Sequence, residues 1–198
     1  MKKIRLAVLI SGRGSNMEAL LRACAAPEYP ATIAVVISNR SDAAGLEKAK
    51  AAGIATEIVD HKHYAGRLAF EAVLHQAILK HGPIDLICLA GFMRILTENF
   101  VNQWPERMIN IHPSLLPDYR GLDTYARALA DGKTEAGCTV HYVVPEMDDG
   151  PIIVQKRVPV LAGDTPETLA ARILAEEHGA YTQAVRIVAT RILERVVN

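Results

Sequence analysis

The stretch Asn110-Ile111-His112-Pro113-Ser114-Leu115-Leu116-Pro117 sets an amide and an imidazole two residues apart. If the stretch begins as a β-strand, alternation sends both side chains to one face. At the carboxyl end of a strand that pair suits acyl transfer. One group donates a hydrogen bond to a developing oxyanion, while the other exchanges a proton or stabilises charge. A lone histidine is more often structural than catalytic, so the pair needs a third member. Asp148 and Asp149, in Pro145-Glu146-Met147-Asp148-Asp149-Gly150-Pro151, are the candidates. A carboxylate beside His112 favours the imidazolium form. Taken alone, the two acids read as a solvated turn.

A second set of residues points to an anion. Ser11-Gly12-Arg13-Gly14-Ser15-Asn16 lies between an apolar run and a helical pattern. Glycines there let the backbone approach a phosphate, and the helix start offers free N–H donors. The bland alternative is a tight turn with no ligand. A dinucleotide fingerprint would place a third glycine where Met17 stands and would prefer an acid where Asn39-Arg40 follows the second strand. The loop therefore favours a monophosphate over NAD, with Arg40 leaving NADP formally open.

Short β-branched runs alternating with helical patterns must position these residues, which indicates an α/β fold with a Rossmann-like, mostly parallel sheet. Strands are expected at 4–10, 32–38, 56–59, 85–90 and 108–112. Met17, Leu20, Leu21 and Cys24 place one apolar stripe on a helix starting near Asn16. Further helices are expected over 43–52 and 64–80, closed by Gly53 and by Gly82-Pro83. After His112 the pattern changes: Pro113, Pro117 and Gly121 break the chain before a short helix at 124–130. Two closely spaced strands, 139–144 and 152–158, form an antiparallel C-terminal addition. Thr165-Pro166 opens a terminal helix to about Arg195. The Leu116-Pro117 bond is a candidate cis peptide, because the chain must turn sharply after the strand.

Composition narrows the partners. Twenty-two basic and 22 acidic residues cancel, so the field needed to gather nucleic acid or anionic lipid is missing. Cys24, Cys88 and Cys138 are scattered, which argues against a disulfide framework and a zinc knuckle. The basic start Met1-Lys2-Lys3 resembles a signal peptide, but its apolar run stops at Ser11-Gly12 with no cleavage site. No apolar stretch approaches a membrane span, and a cytoplasmic protein is expected.

Ala90-Gly91-Phe92-Met93-Arg94-Ile95-Leu96 completes a series with the loop at 11–16, the stretch at 110–117 and Met147-Asp148-Asp149-Gly150-Pro151. In order and spacing the series resembles the glycinamide ribonucleotide formyltransferases over essentially the whole chain. The Asn-x-His-Pro-Ser-Leu-Leu-Pro stretch by itself identifies the wider group of formyltetrahydrofolate enzymes, and Gly-x-Gly-Ser-Asn makes the match more specific. The resemblance implies a single formyltransferase domain over 1–198, with phosphate bound in its first half and folate in its second. It implies a catalytic trio of Asn110, His112 and Asp148, and 10-formyltetrahydrofolate as co-substrate without a metal. The folate head would lie against Met93, Arg94, Ile95, Leu96 and Asn110 on one side and Val144, Pro145, Glu146, Met147 and Asp148 on the other. Arg67 would meet the glutamate tail. Gly14, Ser15 and Asn16 would hold the ribonucleotide phosphate, with Gly12 and Arg13 beside them and Glu177 at the glycinamide end. Arg120 and Tyr125 depart from the family pattern, which often has proline and histidine there.

The chemistry so implied is direct attack of the substrate amine on the formyl carbon, giving an oxyanion held by Asn110 and protonated His112. A hydrolase using water, or a transferase acting on charged tRNA, would use the same trio with an added domain. The length of this chain and its neutral charge speak against both. A nucleotide-binding module without transferase activity is the reading from another class. A monomer or homodimer with two small-molecule substrates is expected.

Overall fold

The computed structural model describes residues 2–197. Seven strands form one sheet in the order β3-β2-β1-β4-β5-β6-β7. Strands β1 (Ile4–Ile10), β2 (Ala31–Ser38), β3 (Ala55–Ile58), β4 (Leu86–Leu89) and β5 (Met108–His112) run parallel. Strands β6 (Glu135–Tyr142) and β7 (Ile152–Pro159) add antiparallel beyond β5. The helices are α1 (Ser15–Ala25), α2 (Ala44–Ala51), α3 (Arg67–Lys80), α4 (Glu98–Val101), α5 (Thr124–Ala130) and α6 (Pro166–Val197).

The two-residue period of β1 divides the core. Ile4, Leu6, Val8 and Ile10 pack with Leu20 of α1, Leu46 of α2 and Tyr181 of α6. Ala7 and Leu9 pack on the other face with Phe70, Leu74 and Ile78 of α3 and with Phe100 and Trp104. Fully burying a leucine or isoleucine contributes roughly 1.5–3 kcal/mol, so this strand, covered on both faces, anchors the sheet. The order of strands reverses between β1 and β4. Their carboxyl ends therefore open a crevice where α/β sheets take ligands. The phosphate loop follows β1, Gly91 follows β4, and His112 ends the neighbouring β5.

Several boundaries differ from the sequence expectation for physical reasons. β6 begins at Glu135 rather than 139, because pairing with β7 (Ala136↔Val158, Gly137↔Arg157) extends it through residues that show no alternation. It ends at Tyr142 rather than 144, where the chain leaves for the turn to β7. α3 starts at Arg67 rather than 64, since His61–His63 form a separate 3-10 turn with the Asp60 side chain accepting from Lys62 N. The short α4 was not expected. Thr97 caps it, accepting from Phe100 N at 3.3 Å, while its own N donates to the buried Glu71 carboxylate at 2.7 Å. Leu116-Pro117 is cis, as expected, and so is Gly82-Pro83.

Gly150 closes the turn between β6 and β7. A Cβ there would stand 1.8 Å from Tyr142 O, so any side chain must push the turn off the sheet. Gly150→Ala is expected to lower stability by about 1–3 kcal/mol, as overpacking does, read from the denaturation midpoint. A midpoint equal to wild type would show that the turn yields freely.

Candidate active site

Antiparallel pairing of β5 with β6 sets Asn110 opposite His141 and His112 opposite Thr139. Residues opposite one another share a face, so these four side chains stand together beyond Met108. Thr139 secures the chain leaving the strand: its Oγ1 donates to Ser114 O at 2.7 Å and accepts from Leu116 N at 3.1 Å. The imidazole of His112 is buried, and its Nε2 donates to Tyr119 O at 2.9 Å. Its Nδ1 lies 3.5 Å from Asp148 Oδ2. Both ring nitrogens thus face acceptors, an arrangement suited to a cation.

Asp148 is held in place from the segment before α5. Gly121 N donates to Asp148 Oδ2 at 2.9 Å. The backbone of Asp148 is left-handed (φ 53), a conformation that costs a non-glycine residue of order 1–3 kcal/mol and persists only where its surroundings fix it. Asp148 Oδ1 lies 3.7 Å from His141 Nε2. The trio expected from sequence therefore converges, and a second histidine joins it.

Sequence reasoning missed His141. The register that sets it opposite Asn110 is a tertiary fact, although alternation from Thr139 could have flagged its face. Its Nδ1 donates to Tyr142 O at 2.9 Å, which leaves the Nε2 lone pair to accept from Asn110 Nδ2 at 3.3 Å. Burial holds the His141 pKa below the ordinary 6.5, against the upward pull of the Tyr142 carbonyl and of Asp148. A neutral His141 therefore fixes the Asn110 amide and leaves its second N–H for another acceptor.

Arg120 reaches across to Asp149, with Nη2 paired to Oδ1. Arg127 Nη1 donates to Arg120 O at 2.8 Å and Leu122 O at 3.2 Å, tying the same segment to α5. An exposed pair of this kind is worth roughly 0–1 kcal/mol, so it steadies the two loops more than it stabilises the fold. Tyr125 does not join the trio. It packs on the core beside α6, and burial pushes its hydroxyl up to about 12.

At the other end of the crevice Gly14 precedes α1 in a left-handed conformation (φ 71). A Cβ on it would stand 2.9 Å from Gly45 Cα, so the position requires glycine. Among the described residues no side chain caps α1, which leaves the first-turn N–H groups of Ser15, Asn16 and Met17 without helical partners. Asn16 Nδ2 donates to Glu177 Oε2 at 2.7 Å, joining the loop to α6. Both residues are buried, and burial raises the Glu177 pKa against the opposing effect of that hydrogen bond. Gly12 is half-buried and Arg13 exposed.

Between these ends, Met93 and Ile95 are 68% and 63% exposed, while Phe92 and Leu96 turn into the core. Arg94 is half-buried, with Nε finding no partner among the described residues. Met147 and Leu122 are likewise exposed and, with Met93 and Ile95, give these loops apolar tips. Val144 is half-buried, and Pro145 and Glu146 are exposed. Arg67 is exposed at the start of α3 and takes no part in the network at Asp148.

The electrostatics yield a measurable sign. As pH falls through about 6.5, the unfolded chain binds a proton at His141 before the folded chain does, so this group withdraws stability on the acid side. Asp148→Asn removes a charge that supports the protonated ring. His141 is then expected to titrate at lower pH than in wild type, followed by NMR of the ring protons. An unchanged titration would show that the two groups are not electrically coupled.

Residues 4–185 match the formyl transferase family. The chain is 47% identical over 189 residues to the human trifunctional purine biosynthetic protein adenosine-3, covering 96% of this chain but only 19% of that protein. It is 45% identical over 178 residues to the phosphoribosylglycinamide formyltransferase of Escherichia coli K12, covering 90% of this chain and 84% of that one. Among solved structures, phosphoribosylglycinamide formyltransferase from Brucella melitensis superposes with a TM-score of 0.90 at 50% identity, covering 95% of this chain and 96% of that one. The family match, the identities and the shared fold agree with the geometry at β5: this chain belongs to the formyl transferase family.

Proposed function

We propose that this chain is a phosphoribosylglycinamide formyltransferase of purine biosynthesis. Residues 1–198 act as one cytoplasmic unit that moves the formyl group of 10-formyltetrahydrofolate to the amine of glycinamide ribonucleotide. The supporting observation is the convergence of Asn110, His112 and Asp148 at one strand end, with apolar loop tips nearby and a free helix start across the crevice. The folate head lies between the 93–96 and 144–148 segments, its tail towards Arg67. The ribonucleotide phosphate sits at Gly12 to Asn16, its glycinamide end towards Glu177.

The unprotonated amine attacks the formyl carbon, and the carbonyl oxygen becomes an oxyanion. The second N–H of Asn110 and the imidazolium of His112 stabilise that charge, and Asp148 balances the ring. The bond from carbon to the folate nitrogen then breaks as a proton passes from the amine to that nitrogen. The products are formylated ribonucleotide and tetrahydrofolate.

Incubation with both substrates is expected to give formylated ribonucleotide and tetrahydrofolate in equal amounts. Formate release independent of the amine would identify a hydrolase instead. Asn110→Ala is expected to lower kcat roughly 100- to 1000-fold with little change in KM, because the lost donor acts on charge developed in the transition state. A KM effect alone would make Asn110 a binding residue.

Glu177 gives a test of opposite sign. Its raised pKa means that the unfolded chain releases this proton first as pH rises above the ordinary 4.5, so stability falls as pH climbs through the folded value. Glu177→Gln is expected to raise the melting temperature at neutral pH while weakening ribonucleotide binding. Unchanged binding would remove Glu177 from the substrate site.

A further inference from the structure

Ser11 ends the run from β1 into the phosphate loop and is 6% exposed. Its backbone N donates to Gly91 O at 3.1 Å. Its hydroxyl donates to Asn39 Oδ1 at 2.5 Å and accepts from Met93 N at 2.7 Å. A serine hydroxyl has one proton, and here it is committed to Asn39, which leaves a lone pair for the Met93 amide. Asn39 follows β2, is 2% exposed, and with its oxygen so engaged presents Nδ2 to His61 Nδ1 at 3.1 Å. The ends of β1, β2 and β4 are therefore joined by one buried, directional chain of hydrogen bonds. The reaction described above uses none of its side chains.

The placement matters because Ser11 stands between two binding segments. On its carboxyl side lies the loop with the free N–H groups, and that loop is pinned from behind, Gly45 N donating to Gly12 O at 3.0 Å. On the other side is the peptide of Met93, the first residue of the segment whose exposed side chains border the folate position. An anion seated at Gly14 to Asn16 fixes the backbone running out of Ser11. Through the hydroxyl it also fixes the Met93 peptide. The reverse follows by linkage: whatever orders the 93–96 segment orders the phosphate loop.

We infer that Ser11, held by Asn39, is a positioning residue that couples the two substrate sites, so that ribonucleotide and folate each tighten the binding of the other. This rests on the substrate assignment proposed above. It adds that the two half-sites share a two-way energetic link through one buried hydroxyl.

The experiment is a calorimetric titration of tetrahydrofolate into the protein with and without saturating glycinamide ribonucleotide, and the reciprocal titration. In the wild type each ligand is expected to tighten the other by the same factor, about fivefold or more. In Ser11→Ala the factor falls to near unity while ribonucleotide alone binds as in wild type. Ser11→Thr, which keeps the hydroxyl, retains the factor. Asn39→Ala frees the hydroxyl proton and lowers the factor without touching Met93, a second route should Ser11→Ala fold poorly. A purely structural serine would weaken both ligands alone and leave their ratio unchanged. A wild-type factor of one, or a factor unchanged in both variants, overturns the coupling. Failure of the wild type to bind either ligand overturns the substrate reading instead, and the coupling with it.

Discussion

A carboxylate whose side chain is only 12% exposed must find donors, and at Asp148 those donors come from segments far apart in the chain. His112 approaches from β5 and the Gly121 amide donates from the segment before α5, while the neutral His141 of β6 stands 3.7 Å away without donating. Satisfying that one group closes the turn at 143–151 over the strand end and brings the 119–122 segment against it. The left-handed backbone at Asp148 is the local cost of the arrangement. Gly150 makes the closure possible, since nothing larger fits against Tyr142 O. The same two loops are tied a second time by Arg120 and Asp149.

The antiparallel addition to the sheet is what brings a second histidine to the site. In a purely parallel sheet the neighbour of Asn110 would arrive through a crossover helix, whereas the β5 to β6 pairing sets His141 directly opposite. The two histidines then take different roles from different surroundings. His141, buried and engaged by Tyr142 O, is kept neutral and serves as an acceptor that orients an amide. His112 faces a carbonyl on one nitrogen and a carboxylate on the other, a setting for positive charge. Different hydrogen-bond partners on two neighbouring rings are how one pocket gives two histidines distinct roles.

What could be read from the residues follows the same physics. Asn110 and His112 were legible because strand alternation is local, and the anion loop because its glycines and the following helix are contiguous. The parallel strands β1, β2, β4 and β5 were legible because they are largely buried and read as apolar runs, whereas β3, exposed at both ends, was legible from its β-branched residues. His141 was not, since register is fixed by pairing and not by composition. The helix at 98–101 was not, because its cap Thr97 is held by Glu71 from α3, a contact 26 residues away in sequence. The extension of β6 to Glu135 escaped for a similar reason: Glu135-Ala136-Gly137 carries no pattern, and only β7 makes it a strand.

On the proposed substrate assignment, an anionic substrate must be held without help from the chain's net charge. With 22 basic and 22 acidic residues there is no global field to draw a phosphate in, so attraction must be local. At the loop it comes from uncapped N–H groups, which carry partial charge without a side chain and are aimed by a glycine that nothing else can replace. Glu177 stands beside that site as a buried acid whose ionised form is disfavoured until something compensates it. A bare anion cannot supply that compensation, but a molecule that also presents N–H groups to the carboxylate can. On the same proposed assignment, the phosphate end of the ribonucleotide meets the loop while its glycinamide end, with N–H donors, meets the Glu177 carboxylate that Asn16 already contacts.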